Sequence, residues 1–499
     1  KAGDDPSAAK VGIVDISTQQ THWIAVPGDS VQNYIPGMQW INEEQLLIQQ
    51  INRHQNHLKI YTYNTKSKKL KVVYEEREDT WIDIKVPDAS SRARKENLVH
   101  VVDDGKAFLR LNETDGWRHV YKVELKTGKK TLLTPGDYDV ASLIDTNDTH
   151  VYFHASPNNS TQRFLYRVSL DGKGKAERIT PEGVGGLNRY SIAPKGNYAL
   201  HFHNAVLRPM TVDLVNLPDH QTLRALVTNE RFAGTLQALD LPKVEFEEVN
   251  TPSGQNIDIR IIKPTNFDPN KKHPVLFHVY GEPWSQMATD TFIGMWNIML
   301  AQMGYVIVDI DNRGTPCLKG SEWRKSIYRK VGVLNILDQA EAAQEVLKIP
   351  YMDAGRTAVW GWSGGGSSTL NLMFQYPEVF GTGIAVAPVS DFRIYDNIYQ
   401  ERYMGLPQEN PEDYEAGAAV THAKNLEGNL LIVHGTGDDN VHYQSLELVA
   451  NELIKHNKPF DMMSYPNRSH GIYEGKNTRR HLYTLMTRYL TEHVPVNTN

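Results

Sequence analysis

The sequence of 499 residues contains one cysteine, no long apolar run and no block of like charge. The single Cys317 excludes a disulfide framework within the chain, so packing alone must hold the fold; we expect Cys317 itself to be a thiol without a role. No run of about eighteen apolar residues is found, so the sequence predicts no membrane span. The net charge of -6 gives no positive electrostatic potential that would attract phosphate groups, which argues against nucleic acid as a partner.

A signal peptide and an initiator methionine are also missing at the start. Lys1–Ser7 is typical of a turn, and Lys10–Ser17 is typical of a strand that begins at once. We therefore expect the chain to be the carboxyl-terminal part of a longer protein.

Residues 1–240 have the pattern of a β protein, with short alternating runs separated by turn residues. Four strand-turn-strand units resemble one another and start at Val14, Tyr61, Tyr121 and Tyr166. A repeat of this length is typical of propeller blades, whereas a plain β-sandwich is the alternative. Turns rich in lysine and glycine recur at the same place in each unit and favour blades. The sequence predicts a partial β-propeller of about four to five blades over residues 1–240.

Residues 241–499 alternate between strand and helix patterns, which predicts an α/β domain with a mostly parallel, doubly wound sheet. An antiparallel pair at 244–249 and 257–262 is expected to open this sheet, and buried strands follow at 274–280 and 305–310. The predicted helices are 335–347, 367–374, 444–455 and 479–493.

Gly361-Trp362-Ser363-Gly364-Gly365 lies between a predicted strand and a predicted helix and matches G-x-S-x-G. This pattern holds a nucleophilic serine on a sharp turn, where side chains on the flanking glycines would collide with the neighbouring strand and helix. An ordinary serine in a glycine-rich loop is the alternative. We predict that Ser363 is a nucleophile.

A nucleophilic serine needs a base and a carboxylate, and in this kind of fold they follow in the order Ser, Asp, His. Asp438 follows the apolar run 429–435, and His470 follows the strand candidate 459–465. All three residues come just after strands, so the sequence predicts a Ser363, Asp438, His470 triad. This chemistry requires no metal and no cofactor.

Three runs together resemble the dipeptidyl peptidase IV group of the prolyl oligopeptidase family, and the predicted propeller agrees with this resemblance. They are Gly361–Gly366, Ala387–Pro407 with its Tyr-Asp-Asn-Ile-Tyr-Gln-Glu-Arg-Tyr-Met-Gly-Leu core, and His434–His442. The resemblance implies a β-propeller joined to an α/β-hydrolase that cleaves dipeptides from free amino termini after proline or alanine. It also implies a homodimer.

The resemblance assigns roles by position. Ser363, Asp438 and His470 match the triad. Tyr280 matches an oxyanion-hole tyrosine that acts with the backbone N–H of Gly364. The remaining matches would bind substrate: Tyr395 and Tyr399 as aromatic walls of a proline pocket, Val389 and Val441 beside them, and Asn440 and Arg402 as polar groups that hold the substrate carbonyl and the pocket. On spacing alone, Tyr395 and Tyr399 would be one face of a core helix.

Two departures from the family pattern bear on substrate binding. The family often has a tyrosine after the nucleophile, and with Gly364 in its place we expect one pocket wall to be thinner and proline selection looser. The family's paired glutamates for the substrate ammonium would lie upstream of Lys1. Glu75-Glu76 does not match their motif and is interpreted as a solvated surface pair, which leaves Asp396 as a weaker candidate for the ammonium.

The sequence therefore predicts a serine exopeptidase that releases X-Pro or X-Ala dipeptides. A tripeptidyl peptidase, an oligopeptidase or an esterase with the same triad is an alternative, because the ammonium-binding glutamates are not in the chain. A propeller-based binding protein with an inactive hydrolase domain is a second alternative, of another class. The near absence of cysteine suggests a bacterial enzyme of the periplasm or cell envelope.

Overall fold

The amino-terminal part of the chain consists of small antiparallel sheets that follow one another along the sequence. The computed structural model describes residues 1–84 and 99–496. A two-stranded sheet contains β1 (Val11–Val14) and β2 (Thr21–Ile24). Four four-stranded sheets follow: β3 (Asn33–Asn42), β4 (Gln45–Asn52), β5 (His57–Asn64) and β6 (Lys69–Arg77); β7 (Val99–Val102), β8 (Ala107–Asn112), β9 (His119–Glu124) and β10 (Lys130–Leu132); β11 (Val140–Thr146), β12 (His150–Ala155), β13 (Phe164–Ser169) and β14 (Glu177–Arg178); β15 (Leu187–Ile192), β16 (Tyr198–Ala205), β17 (Arg208–Asn216) and β18 (Thr222–Val227).

Each four-stranded sheet is a meander in which every strand pairs with the next, the arrangement of a propeller blade. Apolar side chains on facing sheets pack together, as Leu58 and Ile60 of β5 do in one core cluster with Phe108 of β8. Three of the four predicted repeats are the outer hairpins of the blades, β5–β6, β9–β10 and β13–β14, and the repeat predicted at Val14 corresponds to the two-stranded sheet β1–β2. The equivalent hairpin β17–β18 was missed by the sequence pattern. The predicted partial propeller is confirmed.

The carboxyl-terminal part is an α/β domain built on one eight-stranded sheet, as predicted. Its strands, in spatial order, are β19 (Val244–Asn250), β20 (Asn256–Ile262), β22 (Val306–Asp311), β21 (His273–His278), β23 (Met352–Trp362), β24 (Thr382–Val386), β25 (Asn429–Gly435) and β26 (Asp461–Tyr465). The first two pairings in this order are antiparallel and the other five are parallel. The helices are α1 (Glu230–Gln237), α2 (Met295–Met303), α3 (Gly320–Lys325), α4 (Leu334–Leu347), α5 (Gly364–Gln375), α6 (Asn397–Met404), α7 (Pro411–Gly417), α8 (Ala419–His422), α9 (Gln444–Lys455) and α10 (Thr478–His493).

Helices cover both faces of this sheet, so its central strands are apolar on both sides. Val306 and Val308 of β22 face a core that includes α4, α5 and α9, whereas Ile307 between them faces a second core that includes α10. The four predicted helices correspond to α4, α5, α9 and α10. The predicted domain boundary at residues 240 and 241 falls between β18 and β19 and stays a prediction. Among the helices of the described residues, none has the length and apolar character needed to cross a membrane.

Candidate active site

Ser363 lies on the sharp turn between β23 and α5. Its backbone has φ of 60° and ψ of -121°, a conformation that costs a non-glycine residue about 1–3 kcal/mol and recurs at functional sites. A Cβ on Gly361 would lie 2.3 Å from the Gly365 carbonyl oxygen, and one on Gly365 would lie 2.2 Å from the Val279 carbonyl oxygen. The steric reason predicted for the two flanking glycines is therefore present.

Asp438 and His470 form a hydrogen-bonded pair at the carboxyl ends of the neighbouring parallel strands β25 and β26. Nδ1 of His470 is 2.7 Å from Oδ2 of Asp438, while Oδ1 accepts backbone N–H groups from Asn440 and Val441 at 3.0 and 2.9 Å. Burial alone would raise the pKa of Asp438, but the hydrogen bonds from His434 and His470 outweigh it and hold that pKa well below its usual range. The carboxylate is charged and fixes the orientation of His470, which leaves Nε2 to exchange protons.

The loop that carries His470 is tied directly to the residue before Ser363. The indole N–H of Trp362 donates to the His470 carbonyl oxygen at 2.9 Å. This contact had no signal in the sequence, because no local pattern links the two positions. The bond joins the strand end before Ser363 to the loop that carries His470.

Tyr280 lies on the segment after β21 that packs on the first turn of α5. Ser368 of α5 donates to the Tyr280 carbonyl oxygen at 2.9 Å, and a Cβ on Gly365 would lie 3.2 Å from Tyr280 Cα. Burial, with a further contribution from the charge of Glu282, raises the pKa of the Tyr280 phenol well above 10, so it keeps its proton as a hydrogen-bond donor. Gly364 opens α5, and N–H groups of a first helical turn lack partners within the helix. The backbone of Tyr280 thus lies beside the first turns of α5, and its oxyanion role together with Gly364 stays a prediction.

The four predicted pocket residues Tyr395, Tyr399, Val389 and Val441 come together in one apolar cluster. The rings of Tyr395 and Tyr399 meet edge to face with centroids 5.6 Å apart, and Tyr403 closes on Tyr399 at 5.0 Å. Val389 lies beside the nucleophile helix, since its N–H donates to Ser367 at 2.9 Å. Aromatic walls of this kind suit a flat apolar ring.

The predicted polar residues are arranged less uniformly. The Oδ1 atom of Asn440 accepts from the Tyr395 hydroxyl at 3.1 Å, so Asn440 lies at the aromatic cluster. Arg402 is buried and donates to Gln55 of the propeller at 2.8 Å. Asp396 caps α6, with its carboxylate accepting the backbone N–H of Tyr399 at 2.8 Å.

The thinner wall expected at Gly364 is wrong, because another side chain fills that space. A Cβ at residue 364 would lie only 2.7 Å from Cδ and Oε2 of Glu282. Oε2 of Glu282 also accepts the Tyr399 hydroxyl at 2.9 Å. Glu282 was not among the residues predicted to form the site. An acid two residues after the oxyanion tyrosine was the signal that could have drawn attention to it.

The interpretation of Glu75-Glu76 as a solvated pair is wrong for one member. Glu76 is buried and accepts from Arg110 at 2.7 Å and from the Tyr74 hydroxyl at 2.8 Å. Glu75 is partly exposed and pairs with His57 at 2.6 Å. Both carboxylates therefore have partners within the chain, and neither is part of the cluster around Tyr395.

Helix α6, which carries Tyr399, is anchored to the propeller by a buried ion pair. Arg53 contacts both carboxylate oxygens of Glu401, at 2.9 and 2.8 Å. The first residues of the chain join this contact, since the Gly3 N–H donates to Glu401 and the Ala2 N–H donates to the Tyr395 carbonyl oxygen. These contacts cross between distant parts of the sequence and had no local signal.

Comparisons with known proteins agree with this architecture. Residues 292–496 match the prolyl oligopeptidase family, and residues 1–210 match the dipeptidyl peptidase IV (DPP IV) N-terminal region. A probable dipeptidyl peptidase 4 of Arthroderma benhamiae is 31% identical over 92% of this chain and 60% of its own length. A probable dipeptidyl-aminopeptidase B of Coccidioides posadasii is 31% identical over 95% of this chain and 52% of its own length. The chain thus spans little more than half the length of these curated relatives.

Solved structures extend the match to the whole of this chain. The crystal structure of Porphyromonas gingivalis dipeptidyl peptidase 4 aligns with a TM-score of 0.92 and 32% identity, over 99% of this chain and 68% of that one. A putative dipeptidyl aminopeptidase IV from Bacteroides ovatus aligns with a TM-score of 0.86 and 27% identity, over 99% and 71%. The propeller, the hydrolase sheet and the sequence agree over nearly the full chain, so this protein belongs to the dipeptidyl peptidase IV group of the prolyl oligopeptidase family.

Proposed function

We propose that this protein is a serine exopeptidase that releases X-Pro or X-Ala dipeptides from peptide amino termini through an acyl-enzyme on Ser363. The observation that carries the proposal is the His470–Asp438 hydrogen bond of 2.7 Å tied to the strained Ser363 through Trp362. The aromatic cluster around Tyr399 adds the pocket. The names of the relatives, dipeptidyl peptidase 4 and dipeptidyl-aminopeptidase B, support the same activity.

Acylation begins when Oγ of Ser363 attacks the carbonyl carbon of the second residue of the substrate. Nε2 of His470 takes the serine proton, and Asp438 stabilises the imidazolium that forms. The C–N bond then breaks, and His470 returns the proton to the leaving amine. In the second half-reaction, water takes the place of the serine hydroxyl and attacks the acyl-enzyme ester with His470 as the base, which frees the dipeptide and restores Ser363.

The negative oxygen of each tetrahedral intermediate is stabilised by the hydroxyl of Tyr280 and the N–H of Gly364. Both donors are set before the reaction, because Tyr280 is held on α5 and Gly364 is part of its first turn. A preformed hole of this kind typically contributes a large share of the rate.

The residue before the scissile bond, P1, occupies the cluster of Tyr395, Tyr399, Val389 and Val441. A proline ring has no N–H, so shape and apolar area recognise it. Asn440 holds the substrate carbonyl through its side-chain amide, and Arg402 supports the pocket from the propeller side. Asp396 assists in binding the substrate ammonium with the carboxylate that also caps α6.

Ser363→Ala tests the proposal, because it removes the nucleophile and little volume. We expect turnover of Gly-Pro-4-nitroanilide to fall by roughly a thousandfold or more, as for loss of a triad member. Fluorophosphonate labelling should mark the wild-type protein and not the variant. Retention of most of the rate would refute Ser363 as nucleophile, and labelling without turnover would favour another hydrolase activity.

Mass spectrometry of the products distinguishes the exopeptidase classes. Digestion of a peptide with proline at its second position should release the amino-terminal dipeptide. The same peptide with a blocked amino terminus should stay uncut. Release of a tripeptide, or cleavage of the blocked peptide, would favour the tripeptidyl or oligopeptidase alternative.

We also infer a homodimer, on family grounds, and a bacterial periplasmic or envelope location, from the shortage of cysteine. Light scattering on the purified protein measures the first, and fractionation of the source cells measures the second. A monomer over the whole concentration range would contradict the dimer, and activity confined to the cytosolic fraction would contradict the location.

A further inference from the structure

Glu282 is a buried carboxyl that the proposed chemistry does not use. Its residue is 6% exposed, and the Tyr399 hydroxyl donates to Oε2 at 2.9 Å. The other oxygen, Oε1, is buried and has no hydrogen-bond partner in the described part of the chain. Within residues 1–84 and 99–496, no basic side chain pairs with this carboxyl, and burial raises its pKa to about 7. A neutral or charged acid in such a place leaves one polar atom unsatisfied.

Glu282 occupies the place that a side chain at residue 364 would take. A Cβ there would lie 2.7 Å from Cδ and 3.1 Å from Cγ of Glu282. Glycine at 364 and a long side chain at 282 are therefore coupled, since any larger residue at 364 would displace the carboxyl. Because residue 364 follows the nucleophile, the carboxyl lies beside the position where P1 enters.

We propose that Glu282 is a specificity-determining residue of the P1 pocket. It replaces the side chain missing at Gly364 with a hydrogen-bonding wall, which favours small P1 residues that carry a hydroxyl. Hydroxyproline is favoured relative to proline, and serine relative to alanine. This inference rests on the proposed function, since it takes the cluster of Tyr395 and Tyr399 as the P1 pocket.

The position of the carboxyl selects a hydroxyl over a cation. It packs against the backbone next to Ser363, so it meets P1 atoms close to their own backbone. A hydroxyl on Cβ or on a proline ring is within that reach, whereas the long stem of lysine or arginine carries its charge further away. A hydroxyl also pairs with both the neutral and the charged carboxyl, because it can donate and accept.

The test compares two matched substrate pairs that differ by one hydroxyl. We would measure kcat/KM for Gly-Pro, Gly-hydroxyproline, Gly-Ala and Gly-Ser 4-nitroanilides with the wild-type protein, Glu282→Met and Glu282→Gln. Glu282→Met keeps the length and removes the polar atoms. The ratios of hydroxyproline to proline and of serine to alanine should each fall about tenfold or more in Glu282→Met, as expected for a lost hydrogen bond to an acid. Glu282→Gln keeps a polar group and should retain part of both ratios.

A second variant protects the test against misfolding of the first. Glu282→Gly combined with Gly364→Tyr exchanges the carboxyl for the tyrosine of the family pattern, and Gly364→Tyr alone is the matched control that should clash with Glu282. The double variant should be more active than Gly364→Tyr alone and should show the same low ratios as Glu282→Met.

If all four substrates are cleaved and the two kcat/KM ratios are the same in Glu282→Met as in the wild-type protein, this inference is overturned. The proposed function is not affected by that outcome. A wild-type kcat/KM for Gly-Lys or Gly-Arg substrates above that for Gly-hydroxyproline would also overturn this inference, because the acid would then be recognising a cation. A wild-type protein that cleaves none of the four substrates would refute the proposed function and this inference together.

Discussion

Ser363 combines a strained backbone with two tight glycine contacts, so its position depends on the residues around it rather than on its own preference. A φ of 60° would relax in an isolated loop, but the close approach of Gly361, Gly365 and Val279 leaves little freedom. Asp438 likewise depends on its neighbours, because it is a buried carboxylate kept charged by two histidines and two backbone N–H groups. Strain at one residue and charge at another are both maintained by neighbours.

Tyr280→Phe should lower kcat by about 10²-fold or more and leave KM nearly unchanged. The substitution deletes one of the two proposed oxyanion donors and keeps the ring, and such donors act mainly in the transition state. Steady-state kinetics on Gly-Pro-4-nitroanilide measures both constants. A change in KM alone would instead make Tyr280 a substrate-binding residue.

Glu282 also affects how stability depends on pH. Its pKa is about 7 in the folded protein and near 4.5 when unfolded, so between these values the folded chain keeps a proton that the unfolded chain releases. The free energy of unfolding contributed by Glu282 is therefore fully present below pH 4.5 and falls by about 3 kcal/mol as the pH rises to 7. Asp311, with a pKa also raised to about 7 by burial, acts in the same direction.

Glu282→Gln removes only the Glu282 part of this dependence. Relative to the wild-type protein, the variant should gain stability steadily from pH 5 to pH 7, as measured by the thermal unfolding midpoint at each pH. Asp311 remains in both proteins, so its contribution cancels in the difference. A difference that does not vary with pH would contradict the raised pKa of Glu282.

At the scale of elements, the candidate site is assembled by three parallel strands of one sheet, with β24 between the first two, and by the loops that leave them. Strands β23, β25 and β26 deliver Ser363, Asp438 and His470 to one edge of the sheet, where α/β folds place ligands. The sheet sets the strand ends, but the loop after β26 must still be oriented. The Trp362 indole provides one hydrogen bond that does this.

Trp362→Phe should lower kcat roughly threefold to tenfold, because one hydrogen bond that orients the His470 loop is lost. Trp360→Phe is the matched control. The Trp360 indole N–H has no hydrogen-bond partner in the described residues, and its ring stacks on His278 with centroids 4.3 Å apart. The control should lose packing and keep kcat. Equal kcat for Trp362→Phe and the wild-type protein would exclude an orienting role for the indole.

At the scale of the whole molecule, the propeller and the hydrolase sheet meet at the helix that carries the pocket. Arg53 and Glu401 form a bidentate pair in which the side chains are 7% and 0% exposed. Arg402 adds a hydrogen bond to Gln55 from the same helix. Helix α6, which carries the proposed pocket residue Tyr399, is therefore held by the hydrolase domain on one side and by a blade on the other.

Arg53→Met should destabilise the protein by about 3–5 kcal/mol, because it leaves the Glu401 charge buried without its cation. The double variant Arg53→Met with Glu401→Gln should recover part of this loss, since no charge then remains unpaired. Calorimetric unfolding of both variants and the wild-type protein gives the comparison. A single variant as stable as the wild type would show that the pair does not hold α6.

Much of this architecture could be predicted from sequence, because short-range patterns encode it. Alternating apolar residues predicted three of the four outer blade hairpins, and helical periodicity predicted α4, α5, α9 and α10 close to their observed ends. The G-x-S-x-G spacing predicted the turn at Ser363, since its steric demand is local. Asp438 and His470 followed from their places after strands, because parallel strands end at a common edge.

The contacts of Glu282 and of the Arg53–Glu401 pair came only from the tertiary structure. The carboxyl of Glu282 fills the space beside Gly364, and Arg53 pairs with Glu401 from 348 residues away. No local period or motif records which distant side chain will enter a gap left by a glycine. By itself, the sequence determined the blades, the hydrolase sheet and the order of the triad. Only folding decided which side chain fills the space beside Gly364, because that space is formed where separate segments of the chain pack together.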